Sequence, residues 1–142
     1  MKLVDANVLL YAYNTDADRH LESRVWLDGA LTGAATVGFA WVPMLAFIRL
    51  ATKPGLFPRP ATIEQAAAQV SAWLAQPSAQ IVQPTARHAT VLSDLLSQTN
   101  ATGNLVTDGH LAALAIEHRA TVVSYDSDFD RFPGVRWERP TS

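Results

Sequence analysis

Short apolar runs alternate along the chain with longer segments in which apolar residues recur every three or four positions. A short run bounded by turn residues is typical of a buried strand, whereas the wider spacing is typical of an amphipathic helix. The pattern predicts strands at 2–4, 35–39, 80–83, 121–125 and 135–138. It predicts helices at 7–13, 18–31, 41–52, 62–74, 85–98 and 107–118. This alternation predicts an α/β fold, with a mostly parallel central sheet and helices on both faces.

Residues that favour helix ends set the predicted limits of two of these helices. Thr62 and Gln65 form a capping-box pattern at the start of the fourth helix. Asp18 is the expected N-cap of the second helix, and Gly33 is expected to end it. Both signals are local, so we expect them to fix helix ends to within a few residues.

Composition narrows the class of protein. The chain has 142 residues, of which 49% are hydrophobic and 17% charged, so we expect one globular domain covering residues 1–142. There is no cysteine, which excludes a disulfide framework, a zinc–thiolate site and a cysteine nucleophile. Asp5 interrupts the apolar N-terminus and no apolar run has membrane-spanning length, so we expect a cytoplasmic protein with no membrane partner.

Aspartates follow the ends of two predicted strands that are far apart in the chain. Asp5 ends the first strand, and Asp126 and Asp128 follow the fourth. Asp108 lies in the first turn of the last predicted helix, after a predicted loop at 100–104. That helix joins the fourth strand by a short connection, so the two should run antiparallel. If the first and fourth strands are adjacent, all four acids meet at the carboxyl edge of the sheet, where ligands bind in such folds.

Two interpretations of these acids differ in their chemistry. A single aspartate at a helix start is most often only a cap. Clustered carboxylates without basic partners repel one another and raise one another's pKa, and a divalent cation removes that penalty. Oxygen ligands favour Mg²⁺ or Mn²⁺, either of which can activate water and stabilise charge on a phosphodiester. The sequence therefore predicts a magnesium or manganese site at this edge.

Three segments of the chain resemble one known family. VDANVLLYAY at the start, TDGHLAALAIEH in the last helix and VVSYDSDFDRF near the end are similar to motifs of PIN-domain proteins, in particular VapC-type ribonuclease toxins. The resemblance implies a three-layer α/β/α PIN-like sandwich. It also implies an Mg²⁺- or Mn²⁺-dependent endoribonuclease, the toxin of a bacterial toxin–antitoxin pair. The implied partners are an RNA substrate, a cognate antitoxin and a second copy in a homodimer.

The resemblance also assigns residues to the site. The family's metal-binding acids match Asp5, Asp108 and Asp126, with Asp128 as an accessory acid that could orient or deprotonate the attacking water. Two polar positions that support these acids match Asn7 and Ser124. Ser124 could be mistaken for a nucleophile, but the sequence places no histidine or lysine base beside it.

One family position departs from the pattern. Many members carry a glutamate in the helix after the second strand, where this chain has Ala46. Glu22 and Glu117 are candidate substitutes, although Glu117 lies nine residues beyond Asp108 on the same helix, about 13 Å along its axis. The number of metal ions stays open. The alternative function is a catalytically weak or silent binding module that has lost part of its metal site.

The remaining candidates concern RNA binding and a rival enzyme class. Arg49, Lys53 and Arg59 lie at a helix end and in a proline-rich loop at 53–60, and they are the expected RNA-binding cations. A receiver-like phosphotransfer enzyme would need a lysine at the site, and Lys2 lies at the wrong end of its strand. The four histidines are expected in surface or capping positions: His20, His88, His110 and His118. Two of the four tryptophans, Trp41 and Trp137, have open roles.

Overall fold

A parallel sheet of five short strands forms the centre of the protein. A computed structural model describes residues 1–141, so the last residue of the predicted domain, 142, lies outside the described residues. The strands are β1 (Lys2–Val4), β2 (Val37–Phe39), β3 (Ala79–Ile81), β4 (Thr121–Val123) and β5 (Trp137–Glu138). Their order is β3-β2-β1-β4-β5, and every neighbouring pair is parallel. The predicted α/β class is therefore confirmed.

The first and fourth strands are direct neighbours. Lys2 pairs with Thr121 and Val4 pairs with Val123, so the two strands end level with each other. The backbone continues this ladder beyond the strand end, because the Asp5 N–H donates to the Val123 carbonyl at 3.0 Å. The adjacency expected from the sequence is confirmed, and it brings the residues after both strands to one edge.

Helices cover both faces of this sheet. The helices are α1 (Ala6–Tyr13), α2 (His20–Thr32), α3 (Trp41–Ala51), α4 (Ile63–Leu74), α5 (His88–Thr99) and α6 (Asn104–His118), with a short 3₁₀ helix at Ser127–Arg131. Helices α1 to α4 share one buried cluster, and α5, α6 and the 3₁₀ helix share a second. None of the helices within residues 1–141 is both long and apolar enough to cross a membrane.

Side chains along the central strands point alternately to the two faces of the sheet, which explains why there are two apolar clusters. Val4 and Val123 point into the cluster with α1 to α4, whereas Leu3 and Val122 point into the cluster with α5 and α6. All four side chains have no exposed surface. Successive strand residues face opposite sides of a sheet, so a strand covered on both faces must be apolar at every position. The result is a three-layer α/β/α sandwich.

The last helix begins earlier than the sequence pattern predicted. It starts at Asn104 rather than at 107, because Gly103, with a φ of 59°, reverses the chain directly before it. Asp108 therefore lies in the second turn and not in the first. The predicted loop at 100–104 is shorter for the same reason.

Two other helix starts differ from the prediction. The predicted cap at Asp18 is wrong, since α2 begins at His20 with no side-chain cap. The predicted start of α5 at Thr85 is also wrong, because Glu117 accepts hydrogen bonds from both the backbone and the hydroxyl of Thr85. The capping box of Thr62 and Gln65 and the helix end at Gly33 are confirmed.

Gly38 in β2 occupies a place that no larger residue fits. A Cβ there would lie 2.8 Å from Cγ2 of Val82 and 3.1 Å from Sδ of Met1. Val82 is β-branched and buried, so it cannot turn aside easily. The glycine thus keeps β2 close to the second apolar cluster.

We expect Gly38→Ala to lower the free energy of unfolding by about 1–3 kcal/mol, the usual cost of overpacking a core. Gly29→Ala is the matched control, because a Cβ at Gly29 in α2 meets nothing within 4 Å. That variant should gain about 0.5–1 kcal/mol from the better helix propensity of alanine. Urea unfolding of the three proteins measures both effects, and equal changes in the two variants would contradict the packing argument.

Candidate active site

The four acidic side chains reach the carboxyl edge of the sheet from three separate segments of the chain. Asp5 directly follows β1 and is the N-cap of α1. Asp126 follows β4 and is the N-cap of the 3₁₀ helix, in which Asp128 is the second residue. Asp108 comes from α6. The fold thus gathers carboxylates from both ends of the chain at one place.

Among residues 1–141, one group of three acids is close enough to share a metal ion. One oxygen each of Asp108, Asp126 and Asp128 lies within 4.8 Å of the other two. The group is partly buried, and all of its donors are carboxylate oxygens. Such a donor set suits a hard divalent cation such as Mg²⁺ or Mn²⁺ rather than a thiolate-binding metal. The residues present therefore fit the cation that the family implies.

Asp5 stands beside this group, with both of its oxygens already in hydrogen bonds. Its Oδ1 accepts from the Ala6 N–H at 2.7 Å, and its Oδ2 accepts from the Ser124 hydroxyl at 2.7 Å. Burial raises the pKa of Asp5, the bonds from Ser124 and Ala6 lower it, and the charge of Asp126 raises it again. Because each carboxylate oxygen has a second lone pair, Asp5 retains the capacity to bind a cation.

The Ser124 hydroxyl joins three parts of the site. It donates to Asp5, and it accepts from the Asn7 side-chain amide at 3.1 Å and from the Asp126 N–H at 3.0 Å. Asn7 in turn accepts from the Tyr125 N–H at 3.2 Å. Ser124 has no exposed surface, so these bonds hold without competition from water. They fix Asp5 relative to the chain that carries Asp126.

Burial and, after it, repulsion from the neighbouring acids raise the pKa of the central carboxylate strongly. The pKa of Asp108 is raised to about 7, first by burial and then by the charges of Asp126, Asp5 and Asp128. The Arg131 guanidinium lies 3.3 Å from Asp128, but both side chains are largely in solvent and the pair is weak. A divalent cation among these oxygens would remove the repulsion, which is the electrostatic reason to infer a metal site here.

The position of the missing family glutamate is apolar. Ala46 lies in α3, which carries no acidic residue, and it is half-buried. Glu117 does not replace it, because its carboxylate bonds to Thr85 and His88. Glu22 lies near Tyr125, the residue that directly precedes Asp126. Burial raises the pKa of the Tyr125 phenol most, and the charge of Glu22 raises it further.

The histidines were expected in surface or capping positions, and all four are partly buried. His88 is bonded to Glu117 through Nδ1 and to His110 Nδ1 through Nε2 at 2.9 Å, and both rings are at least half-buried between α5 and α6. His20 is also half-buried and bonds to the Tyr11 carbonyl. The sequence places His88 and His110 on separate helices, so it held no signal of their contact.

The expected RNA-binding cations differ in their surroundings. Arg49 and Lys53 are exposed. Arg59 instead pairs with Asp16 at 3.0 Å. Of the two tryptophans with open roles, Trp137 donates its ring N–H to Asp130 at 2.6 Å, and Trp41 is 41% exposed at the start of α3.

Aromatic residues near the acids were not foreseen. The Tyr125 ring lies 5.6 Å from that of Tyr11, and the Arg19 guanidinium lies 4.5 Å from the Tyr125 ring centre. The Tyr125 hydroxyl shares a hydrogen bond with Ser23 at 2.8 Å. Tyr125 stands in the motif that precedes Asp126, but a sequence does not reveal where such a ring points once its strand has ended.

Comparisons with known proteins identify the family of this chain. The PIN domain profile matches residues 2–135. Ribonuclease VapC37 of Mycobacterium tuberculosis is 64% identical over 140 residues, which cover 99% of this chain and 97% of that protein. Two solved structures share the fold at low identity. VapC20 of Mycobacterium tuberculosis, described as a sarcin-ricin loop cleaving toxin, has a TM-score of 0.70 at 15% identity and covers 96% of this chain and 99% of its own.

The second structure is a complex. VapBC2 from Rickettsia felis, solved with a DNA fragment from its promoter, has a TM-score of 0.67 at 19% identity and covers 97% of both chains. The profile match and the 64% identity extend over nearly the whole sequence. This chain therefore belongs to the PIN-domain family and, within it, to the VapC ribonucleases.

Proposed function

We propose that this protein hydrolyses RNA phosphodiester bonds with a divalent cation, Mg²⁺ or Mn²⁺, as the toxin of a toxin–antitoxin pair. The observation that carries the proposal is the approach of three carboxylate oxygens, from Asp108, Asp126 and Asp128, to within 4.8 Å of one another. The name of its relative VapC37, a ribonuclease, supports RNA as the substrate. We propose the cytoplasm as the site of action, because RNA substrates are found there.

The side chains divide the work of the reaction. Asp108, Asp126 and Asp128 would hold the cation, with Asp5 at their side. When bound, the cation supplies a water of lowered pKa and offsets charge on the phosphate oxygens. Asp128 is 42% exposed, so it has room to accept a proton from the attacking water. Ser124 keeps Asp5 oriented through its donated proton.

Exposed cations would supply affinity for the RNA backbone. Arg131 brings a guanidinium to Asp128, and Arg49 and Lys53 are exposed near the start of the proline-rich loop. Each contact with a phosphate releases counterions, which makes binding dependent on salt concentration. Arg59 contributes less directly, because its charge is paired with Asp16.

Protein partners have an apolar surface available on α3. Trp41, Val42 and Leu45 are exposed there, and Leu56 is exposed in the loop that follows. The VapBC2 complex supports an antitoxin as one partner. We assign this surface to the antitoxin or to a second copy of the chain in a homodimer.

A silent binding module remains the second candidate, and the observation that favours it is Ala46. Without a carboxylate from α3, the site has one acid fewer than many family members have, and its cation affinity could be too weak for catalysis. This candidate predicts binding to a partner without cleavage of RNA. The activity assay below separates the two.

We expect purified protein to cleave RNA with Mg²⁺ or Mn²⁺ and to lose that activity in EDTA. Asp126→Asn should lower the rate by at least about 100-fold, since residues that only support metal ligands already cost 10- to 100-fold. Asp94→Asn is the control, because Asp94 is an exposed acid on α5. Cleavage that persists in EDTA, or that survives Asp126→Asn, would refute the proposed mechanism.

The stability of the metal-free protein should fall as pH rises between about 4 and about 7. Asp108 has a pKa of about 7 in the folded state against an ordinary value of 3.8, so in this range the folded state holds a proton that the unfolded chain has released. Mg²⁺ should therefore stabilise the protein most above about pH 7, where no proton must be displaced.

Thermal unfolding from about pH 5 to about pH 8, in EDTA and in MgCl₂, measures this effect. Asp108→Asn removes the titrating group and should flatten the EDTA profile. A wild-type EDTA profile as flat as that of the variant would rule out the raised pKa.

Loss of the Ser124 hydroxyl should weaken cation binding. Ser124→Ala leaves the Asn7 amide without its acceptor and frees Asp5 to turn, so we expect the Kd for Mn²⁺ to rise about tenfold. Ser127→Ala, at an exposed serine in the 3₁₀ helix, serves as the control. Isothermal titration measures both, and an unchanged Kd in Ser124→Ala would mean that Asp5 does not support the cation.

A further inference from the structure

A groove of about 460 Å³ includes Tyr11, whose ring contacts that of Tyr125, the residue before Asp126, and it has no part in the mechanism above. It runs between the α1–α2 connection and the proline-rich loop 53–60. We call it the loop groove. Its walls include Tyr11, Asp18, Arg19, Leu56, Phe57 and Pro58. Its volume falls within the range of about 300–1,000 Å³ that is usual for ligand sites.

The two walls of the loop groove are tied together. The Arg59 guanidinium donates to Asp16 at 3.0 Å and to the Thr15 hydroxyl at 3.1 Å, which joins the proline-rich loop to the α1–α2 connection. The Asn14 side chain in turn accepts from the Asp16 N–H at 2.9 Å. These contacts hold the loop groove open before any ligand arrives, which lowers the entropic cost of binding.

Tyr125 connects the loop groove to the acids. Tyr11, which lines the groove, packs with its ring tilted by 45° and 5.6 Å from that of Tyr125, and Arg19 from the same groove lies 4.5 Å from the centre of the Tyr125 ring. Tyr125 is the residue before Asp126 and is anchored through its N–H to Asn7. A ligand in the loop groove would contact Tyr11 and Arg19, and both of these residues touch the residue that precedes Asp126.

The chemistry of the walls suits a flat, uncharged ring with polar edges. Tyr11 and Phe57 offer aromatic surface, and Arg19 offers a planar guanidinium, the groups on which unpaired bases stack. Asp18 places a carboxylate at the groove, which can accept from the N–H groups of a base edge. The same carboxylate disfavours a phosphate. A phosphodiester would thus be bound at the acidic cluster, and the base next to it would be bound by the aromatic and polar groups of the loop groove.

We propose that the loop groove binds an unpaired nucleobase next to the cleaved phosphodiester and sets the base preference at that one position. The proposal rests on the proposed function, because it takes the acidic cluster as the place of cleavage. Arg19 and Tyr11 are the residues that determine specificity. Tyr11 would stack on the base from α1, and Arg19 from the end of the α1–α2 connection.

A binding experiment tests the loop groove without cleavage. The probes are a fluorescein-labelled single-stranded RNA of randomised sequence and an abasic strand of the same length, both with EDTA present. Arg19→Gln and Tyr11→Leu should each weaken binding of the base-bearing strand about tenfold, the loss of one stacked base. Both should bind the abasic strand as the wild type does. Arg19→Lys should behave like Arg19→Gln, because it keeps the charge and loses the plane.

Matched controls exclude a loss of fold or of charge. Arg24→Gln removes an exposed arginine that pairs with Asp28 elsewhere on α2, and Ile63→Ala removes an exposed apolar residue on α4. Both should bind like the wild type. Arg19 is exposed, so its variants should keep the wild-type unfolding midpoint even if Tyr11→Leu does not. Unchanged binding of the base-bearing strand in the Arg19 variants would overturn the proposal. A groove that receives a side chain of a protein partner instead of a base would give that result.

Cleavage of a randomised RNA with Mg²⁺, read by sequencing the new ends, separates the two proposals. The wild type should show a preference at one position beside the cut, and the Arg19 variants should lose it there while still cutting other sequences. A wild type that cuts RNA while its Arg19 variants keep the same preference refutes the loop groove alone. A wild type that cuts no RNA refutes the proposed function, and the EDTA binding result still decides the groove.

Discussion

The parallel pairing of β1 with β4 is the contact on which the rest of the site depends. It sets Val4 level with Val123, so that residues 119 positions apart in the chain, Asp5 and Ser124, meet just beyond the strand ends. Apolar clusters on both faces hold the two strands together. Without this pairing, Asp5 would have no fixed relation to Asp126, and the acids would be isolated caps of separate helices.

This arrangement brings carboxylates that repel one another close together within a stable fold. Burial and like charges act together on Asp108, whereas hydrogen bonds from Ser124 and Ala6 partly relieve Asp5. Sites that bind ligands commonly carry such unfavourable interactions, which the surrounding packing must offset. Here the buried strands offset the cost in the absence of a cation, and the cation then gains affinity from the repulsion it removes.

Much of the site could be predicted, because strand ends in an α/β protein have a fixed geometry. The positions of Asp5 and Asp126 follow from the apolar runs before them. Because β1 and β4 are neighbours, the two aspartates then lie at the same edge of the sheet. The start of α6 could not be read, since it depends on a backbone reversal at Gly103 that periodicity does not encode. The sequence also did not predict the contact of His88 with His110 or the rings around Tyr125, because both depend on how separate elements pack.

The Ser124 hydroxyl has one proton and two lone pairs, and the protein uses all three. An alcohol in that condition has no lone pair free to attack phosphorus, even though it lies between Asp5 and Asp126. In the hydrolysis that we propose, Ser124 therefore forms no phosphoserine, and water attacks in a single displacement. Inversion at phosphorus is the stereochemical signature of such a route.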